Sequence, residues 1–177
     1  MPNWVKNIVH ALDENANFEE FTNDEGNFTF EKIVPMPANI YRGAVGSEEQ
    51  AIYGENNWYD WSRKNWGTKW DACESEVTRR TAVFETAWSC PEPVLIELAK
   101  KVGGLLVFYA DEDIGSNFGA FFVTKKGQVV DVPTNYVLAS VIFYDEELRY
   151  ADVIEDFRWI LEDAVGDEDD EEDEGDE

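Results

Sequence analysis

Carboxylates are the chemistry this chain has most of, and the most regularly spaced set lies near its C-terminal end. Asp152, Glu155, Asp156, Glu162 and Asp163 recur at helical spacing. On a helix they fall within about 120° of one another at about 100° per residue, with Trp159 in their midst. The helical neighbours of Trp159, one turn back and one turn on, are Glu155, Asp156, Glu162 and Asp163. Like charges at that spacing repel by a few tenths of a kcal/mol per pair. A helix selected only for stability would place Lys or Arg among them, yet Arg149 and Arg158 are the only bases of the stretch. Two readings stand side by side. One is a solvated face with Trp159 leaning on a neighbouring element. The other is an acidic docking surface with one aromatic anchor, which is how interface hot spots are often built.

A second concentration is aromatic. Trp58, Trp61, Trp66 and Trp70 lie within thirteen residues, with Tyr59 between them. They suit a bulky core face, because buried aromatics dominate core energetics. The alternative is a ligand loop just past a helix end, made by Trp66, Gly67, Lys69, Trp70 and Asp71 and joined by the loop over residues 111–117 in a small-molecule or nucleotide site. Asp111, Glu112 and Asp113 are clustered carboxylates of the type that holds Mg²⁺ or Ca²⁺, but their spacing matches no Ca²⁺ loop, and a solvated hairpin turn is the plainer reading. His10 is the only histidine and falls in an expected strand, where a structural role is expected. No GxSxG, HExxH or phosphate-loop pattern occurs, and with acids so plentiful no catalytic pair stands out. The expectation is no catalytic residue, no metal and no cofactor. Cys73 and Cys90 form neither a disulfide framework nor a zinc set and read as reduced thiols.

The overall charge narrows the partners. The 177 residues carry 39 acids against 14 bases, a formal charge of −25. Phosphates would be repelled, so direct nucleic-acid binding of the basic-patch kind is excluded, and docking to anionic lipid is disfavoured. Hydrophobic residues at 44% and aromatics at 14% still suffice for a core. Residues 167–177 hold ten acids and one glycine, so residues 1–166 keep 29 acids against 14 bases. The tail is expected to be disordered, and the body is acidic without it. The start, MPNWVKNIVHALDEN, has no signal-peptide pattern, and no apolar run has transmembrane length, so a cytoplasmic protein is expected.

The elements that must position these groups follow from periodicity. Residues 3–12 alternate, with Trp4, Ile8, His10 and Leu12 opposite Val5 and Val9, as in a strand. Phe28 to Val34 also alternates and predicts a second extended piece, ended by Pro35 and Pro37. Ser47 is the expected N-cap of a helical stretch that runs to Asn65 with a break at Gly54 and a stop at Gly67. Val77 to Trp88 reads as a strand. Ser89 to Lys101 reads as a helix with prolines and Glu92 at its start and lysines at its end. Leu105–Ala110, Phe118–Thr124 and Gln128–Val132 predict an antiparallel meander around turns at residues 111–117 and 125–127. Tyr136 to Tyr144 suits strand or helix. From about Asp145 to Val165 the period is helical, with Leu148, Ala151, Ile154, Phe157, Leu161 and Val165 on the apolar face.

Five strings then occur in order: MPNW, FTFEKIVPMP, WYDWSRKNWGTKWDA, FETAWSCPEPVLIEL and YADEDIGSNFGAFF. Together they resemble the YubB-like family of ferredoxin-like-domain proteins carried by plasmids and phages, over roughly residues 1 to 130. The family often has a cysteine after the first tryptophan, where this chain has Val5, so no metal or redox role carries over to that position. The resemblance implies an α+β fold, a ferredoxin-like antiparallel sheet with helices packed on one face, and it brings no catalytic residue.

The expected organisation is a domain over residues 1–144, an acidic amphipathic helix over 145–166 packed on it, and the tail. The expected function is that of a mobile-element protein in a bacterial host. It would bind and inhibit a basic nucleic-acid-handling or defence protein by imitating nucleic-acid charge. DNA carries about one negative charge per 1.7 Å of axis, and a helix of about twenty residues is roughly 30 Å long, so its acids would span several base pairs. The alternative is the ligand site formed by the 66–71 and 111–117 loops. A third reading is that acidity only confers solubility or salt tolerance.

Overall fold

The computed structural model describes residues 3–111, 117–134 and 150–166, with side chains in the last segment described over 155–163. The chain opens with β1 (Trp4–Ala11), whose Val5, Asn7, Val9 and Ala11 are fully buried. Two 3-10 turns follow, Phe18–Phe21 and Phe30–Lys32, then α1 (Ser47–Tyr53) and α2 (Trp58–Asn65). The order continues with β2 (Cys73–Val77), β3 (Thr81–Ala87), α3 (Glu92–Val102), β4 (Leu105–Asp111), β5 (Phe118–Val123), β6 (Val129–Val132) and α4 (Tyr150–Gly166).

The described strands form one sheet in the order β2-β3-β1-β4-β5-β6, and every adjacent pair is antiparallel. β1, β2, β3 and β4 in the order 2-3-1-4, with α2 before β2 and α3 before β4, give the split β-α-β arrangement of a ferredoxin-like fold. The β5–β6 hairpin extends it at one edge. Register fixes the faces: Ile8 lies opposite Val83 on one side and Phe108 on the other.

The two sides of the sheet are covered unequally. On one side Val9, Phe84, Val107 and Phe121 meet Val94, Leu95 and Leu98 of α3 and the aromatics Phe18, Phe28 and Phe30. The Phe28 and Phe84 rings stack with centroids 5.0 Å apart. On the other side Ile8, Leu106, Phe108, Phe122 and Val132 form a smaller cluster against which Phe157 and Leu161 of α4 pack.

Local chemistry explains where the chain departs from its own periodicity. Phe28 to Val34 is not a strand. Phe28 makes a single antiparallel bridge to Thr22, and the chain then turns. Thr29 Oγ1 accepts from the Glu31 N–H at 3.2 Å and donates to Asp71 at 2.6 Å, while Phe30 N–H donates to Asp71 at 2.7 Å. A carboxylate from a distant part of the chain thus converts an alternating string into a capped turn. Val77 to Trp88 is not one strand either. It is the end of β2, a turn and β3, closed by Thr78 N–H donating to the Thr81 carbonyl at 2.8 Å and Thr81 N–H to Thr78 Oγ1 at 3.1 Å. The hairpin lacks Gly, Asn and Pro, the usual turn signals.

Most helix ends fall within a residue of expectation; the start of α3 does not, since the helix begins at Glu92 behind Pro91 and not at Ser89. The cap of α1 is Gly46 in place of Ser47, with Gly46 N–H donating to Glu49 at 3.0 Å. The break at Gly54 separates α1 from α2, whose N-cap Asn57 accepts from Asp60 N–H at 3.0 Å. Gly103, left-handed at φ 82°, ends α3. Tyr136 to Tyr144, the start of the C-terminal helical stretch before Tyr150, and the tail over 167–177 lie outside the described residues.

Candidate functional site

α4 lays its apolar stripe on the sheet through Phe157 and Leu161, which turns the opposite stripe outward. There Glu155, Asp156, Glu162 and Asp163 are all exposed, and Trp159 between them is 63% exposed. Most of Trp159 is therefore left outside intramolecular packing. Covering that ring is worth on the order of 3 kcal/mol at about 25 cal/mol per Å², and four acids around it set the charge that a partner must carry. Asp152 is on the first turns of α4, and its side chain lies outside the described residues.

The aromatic segment divides between core and surface. Trp66 is 4% exposed, donates from Nε1 to the Val34 carbonyl at 2.9 Å and packs edge-on to Phe30 and Trp61. It is a core residue and lines no ligand loop. Asp71 also turns inward, to Thr29, Phe30 and Ala72. Burial raises its pKa against the hydrogen bonds that lower it. Gly67 adopts φ 80°, and a side chain there would run into the Pro93 ring at the start of α3. Trp70 rests beside Trp4, with centroids 6.1 Å apart.

Lys69 differs. It lines a half-open cavity of about 820 Å³ together with Gly67, Thr68, Arg63, Lys64 and Trp88. Its ammonium lies 4.3 Å from the Trp70 ring, 5.0 Å from Trp88 and 5.8 Å from Tyr59. Hydrogen bonds hold the walls. Ser62 Oγ donates to the Lys69 carbonyl at 2.8 Å, Thr68 Oγ1 to Ala87 at 2.9 Å and Ser89 Oγ to Gly67 at 2.7 Å. Of the second expected loop, residues 112–116 lie outside the described residues; Asn117 donates from Nδ2 to the Trp88 carbonyl at 3.4 Å. The cavity thus draws on Gly67 and Lys69 from the expected set and adds Arg63, Lys64 and Trp88. Their one available signal was two adjacent bases closing α2 in a chain short of bases.

The remaining candidates are the histidine and the two thiols. His10 Nδ1 is 2.8 Å from Thr81 Oγ1, and burial, then Arg80, lower its pKa to about 4. Cys73 and Cys90 are free thiols, and desolvation raises both, Cys90 the more strongly. That disfavours the thiolate at neutral pH. Among the described residues no group of three His, Cys, Asp or Glu side chains is arranged to hold a metal. Among them too, no helix is long and apolar enough to cross a membrane.

No curated protein and no solved structure matches the chain. The matched segment begins inside the expected first domain, at the end of α2, and does not include β1, although β1 sits between β3 and β4 in the sheet. Residues 65–148 match the family model described as a ferredoxin-like domain in Api92-like protein, so this chain carries a stretch similar to a ferredoxin-like domain whose central strand comes from residues before it.

Proposed function

We propose that this chain binds and inhibits a basic nucleic-acid-handling or defence protein of a bacterial host, with α4 presenting nucleic-acid-like charge. The observation that supports this most is Trp159, exposed at 63% and surrounded by the exposed acids Glu155, Asp156, Glu162 and Asp163. A basic groove built for phosphates would receive the acids, and the indole would supply the desolvated anchor that charge alone lacks. The chain acts here as a binding protein and not as an enzyme, in the cytoplasm of the host. In line with its resemblance to YubB-like proteins, it is carried by a phage or plasmid.

The test is retention of host proteins on the immobilised chain at low salt, with identification of what is retained. Basic nucleic-acid-handling proteins are expected to bind the native chain, and to be lost from a Glu155→Gln, Asp156→Asn, Glu162→Gln, Asp163→Asn variant. Equal retention by both chains would sink the reading, as would retention of none.

A further inference from the structure

The cavity beside α2 is out of character with the rest of the molecule. The chain carries −25 in formal charge and only 14 Lys and Arg residues, yet three of these, Arg63, Lys64 and Lys69, line one cavity. Two acids share its rim, one tied into the α2 cap and the other facing the cavity's own Lys64. Asp60 accepts from Asn57 Nδ2 at 2.6 Å and Gln50 Nε2 at 3.4 Å, as part of the α2 cap. Glu55 reaches Lys64 at 4.0 Å in a solvated pair, which is worth little. Arg63 and Lys69 have no carboxylate partner among the described residues. Arg63 instead lies 5.3 Å from the Tyr59 ring, and Lys69 sits over aromatic faces.

The fourth component is Trp88. It is 44% exposed and holds a backbone φ of 74°, a conformation that is an outlier for a bulky side chain and costs on the order of 1–3 kcal/mol. Surrounding bonds impose it. Trp88 N–H donates to the Asn3 carbonyl at 2.9 Å, and Thr86 Oγ1 donates to the Ser89 carbonyl at 2.8 Å. The result is an indole held at the cavity wall when ordinary strand geometry would carry the chain straight on. A fixed flat ring with the Lys69 ammonium 5.0 Å away, in a cavity of about 820 Å³ that Arg63 also lines, matches the size and polar convergence of small-molecule sites.

We propose that this cavity binds a phosphorylated compound with a flat aromatic ring, the chemistry of a mononucleotide. Arg63 and Lys69 take the phosphate, Arg63 by its planar fork, and Trp88 takes the ring by stacking. This site is separate from the acidic face of α4 and does not depend on it.

The experiment is a two-dimensional amide NMR titration of the full chain with AMP, GMP, CMP and UMP in turn, with inorganic phosphate and adenosine as separate arms. At least one mononucleotide is expected to shift the amides of Arg63, Lys69, Trp88 and Ser89 in a saturable way, at least tenfold more tightly than phosphate or adenosine. The Arg63→Ala, Lys69→Met double variant, whose fold is checked by its own amide spectrum, is expected to lose at least tenfold in affinity, and Trp88→Leu to lose the preference over phosphate. Absence of shifts with every mononucleotide would overturn the proposal. So would phosphate alone binding as tightly, or a folded double variant that binds unchanged.

Discussion

The two sides of the sheet solve burial differently, and each carries one of the two candidate surfaces. The α3 side is a deep aromatic core in which Phe18, Phe28, Phe30 and Phe84 are almost wholly buried, and it supports a rigid, hydrogen-bonded cavity with net positive lining. The α4 side is a thin apolar seam, where Phe157 and Leu161 are only half-buried, and it supports a strongly acidic helix face. The lesson is that charge sign follows local construction and not composition. A chain of −25 holds a cationic cavity where the 67–69 loop and the 88–89 turn are stitched together, and concentrates its acids where one helix stripe is left over after docking.

The largest effect should come from the deep side. Phe84→Ala empties the centre of the stacked cluster and is expected to cost about 3–5 kcal/mol, measured as the shift in urea midpoint, with both surfaces lost together. Trp159→Ala comes next. It is expected to weaken the basic partner by about 2 kcal/mol or more in a binding titration and to leave the urea midpoint within about 0.5 kcal/mol of the native chain. A similar loss in stability would mean that Trp159 is packed and not presented.

Phe157→Ala probes the seam. Its ring is half-buried, so about 1–2 kcal/mol is expected, less than for a fully buried Phe. Hydrogen exchange should speed up in α4 and stay slow in β1 and β4. If β1 and β4 loosened equally, the two sides would be one cooperative layer and the comparison would fail.

The smallest effect concerns pH. His10 in the folded chain titrates near 4 against a usual 6.5, so between these values the unfolded chain takes up a proton that the folded chain refuses. Stability from this source is intact above about pH 6.5 and is lost as pH falls toward about 4. Because the ring is only half-buried, solvent screening reduces the size to on the order of 1 kcal/mol. His10→Gln should flatten the difference in urea midpoint between pH 7 and pH 4.5. An unchanged difference would place the titration elsewhere.

What the sequence made legible was whatever local periodicity decides. Strand β1 follows from alternation, β4 from a short apolar run with β5 as its return, and helix α3 and the break at Gly54 from dipole-matched charges and glycine. What it hid depended on partners far along the chain. The FTFEKIV string alternates like a strand, but Asp71 captures Thr29 and Phe30 and bends it. The β2–β3 turn at Thr78 to Thr81 is closed by threonine bonds with no turn residue to announce it. The candidate sites show the same divide. The acids around Trp159 are read from one helix wheel. The cavity joins residues 63–69 to 88–89, and only the fold brings them together. Of their sequence neighbours, Trp66 packs into the core and Asp71 is tied to Thr29 and Phe30.

The acidic face itself is tested most directly by competition with nucleic acid for a captured partner. With the partner held at about 50 mM salt, duplex DNA and the native chain are expected to displace one another. The affinity of the chain should fall at least tenfold by about 300 mM, where charges more than a Debye length apart are screened. A partner that binds DNA and this chain at the same time, with an affinity indifferent to salt, would contradict the account.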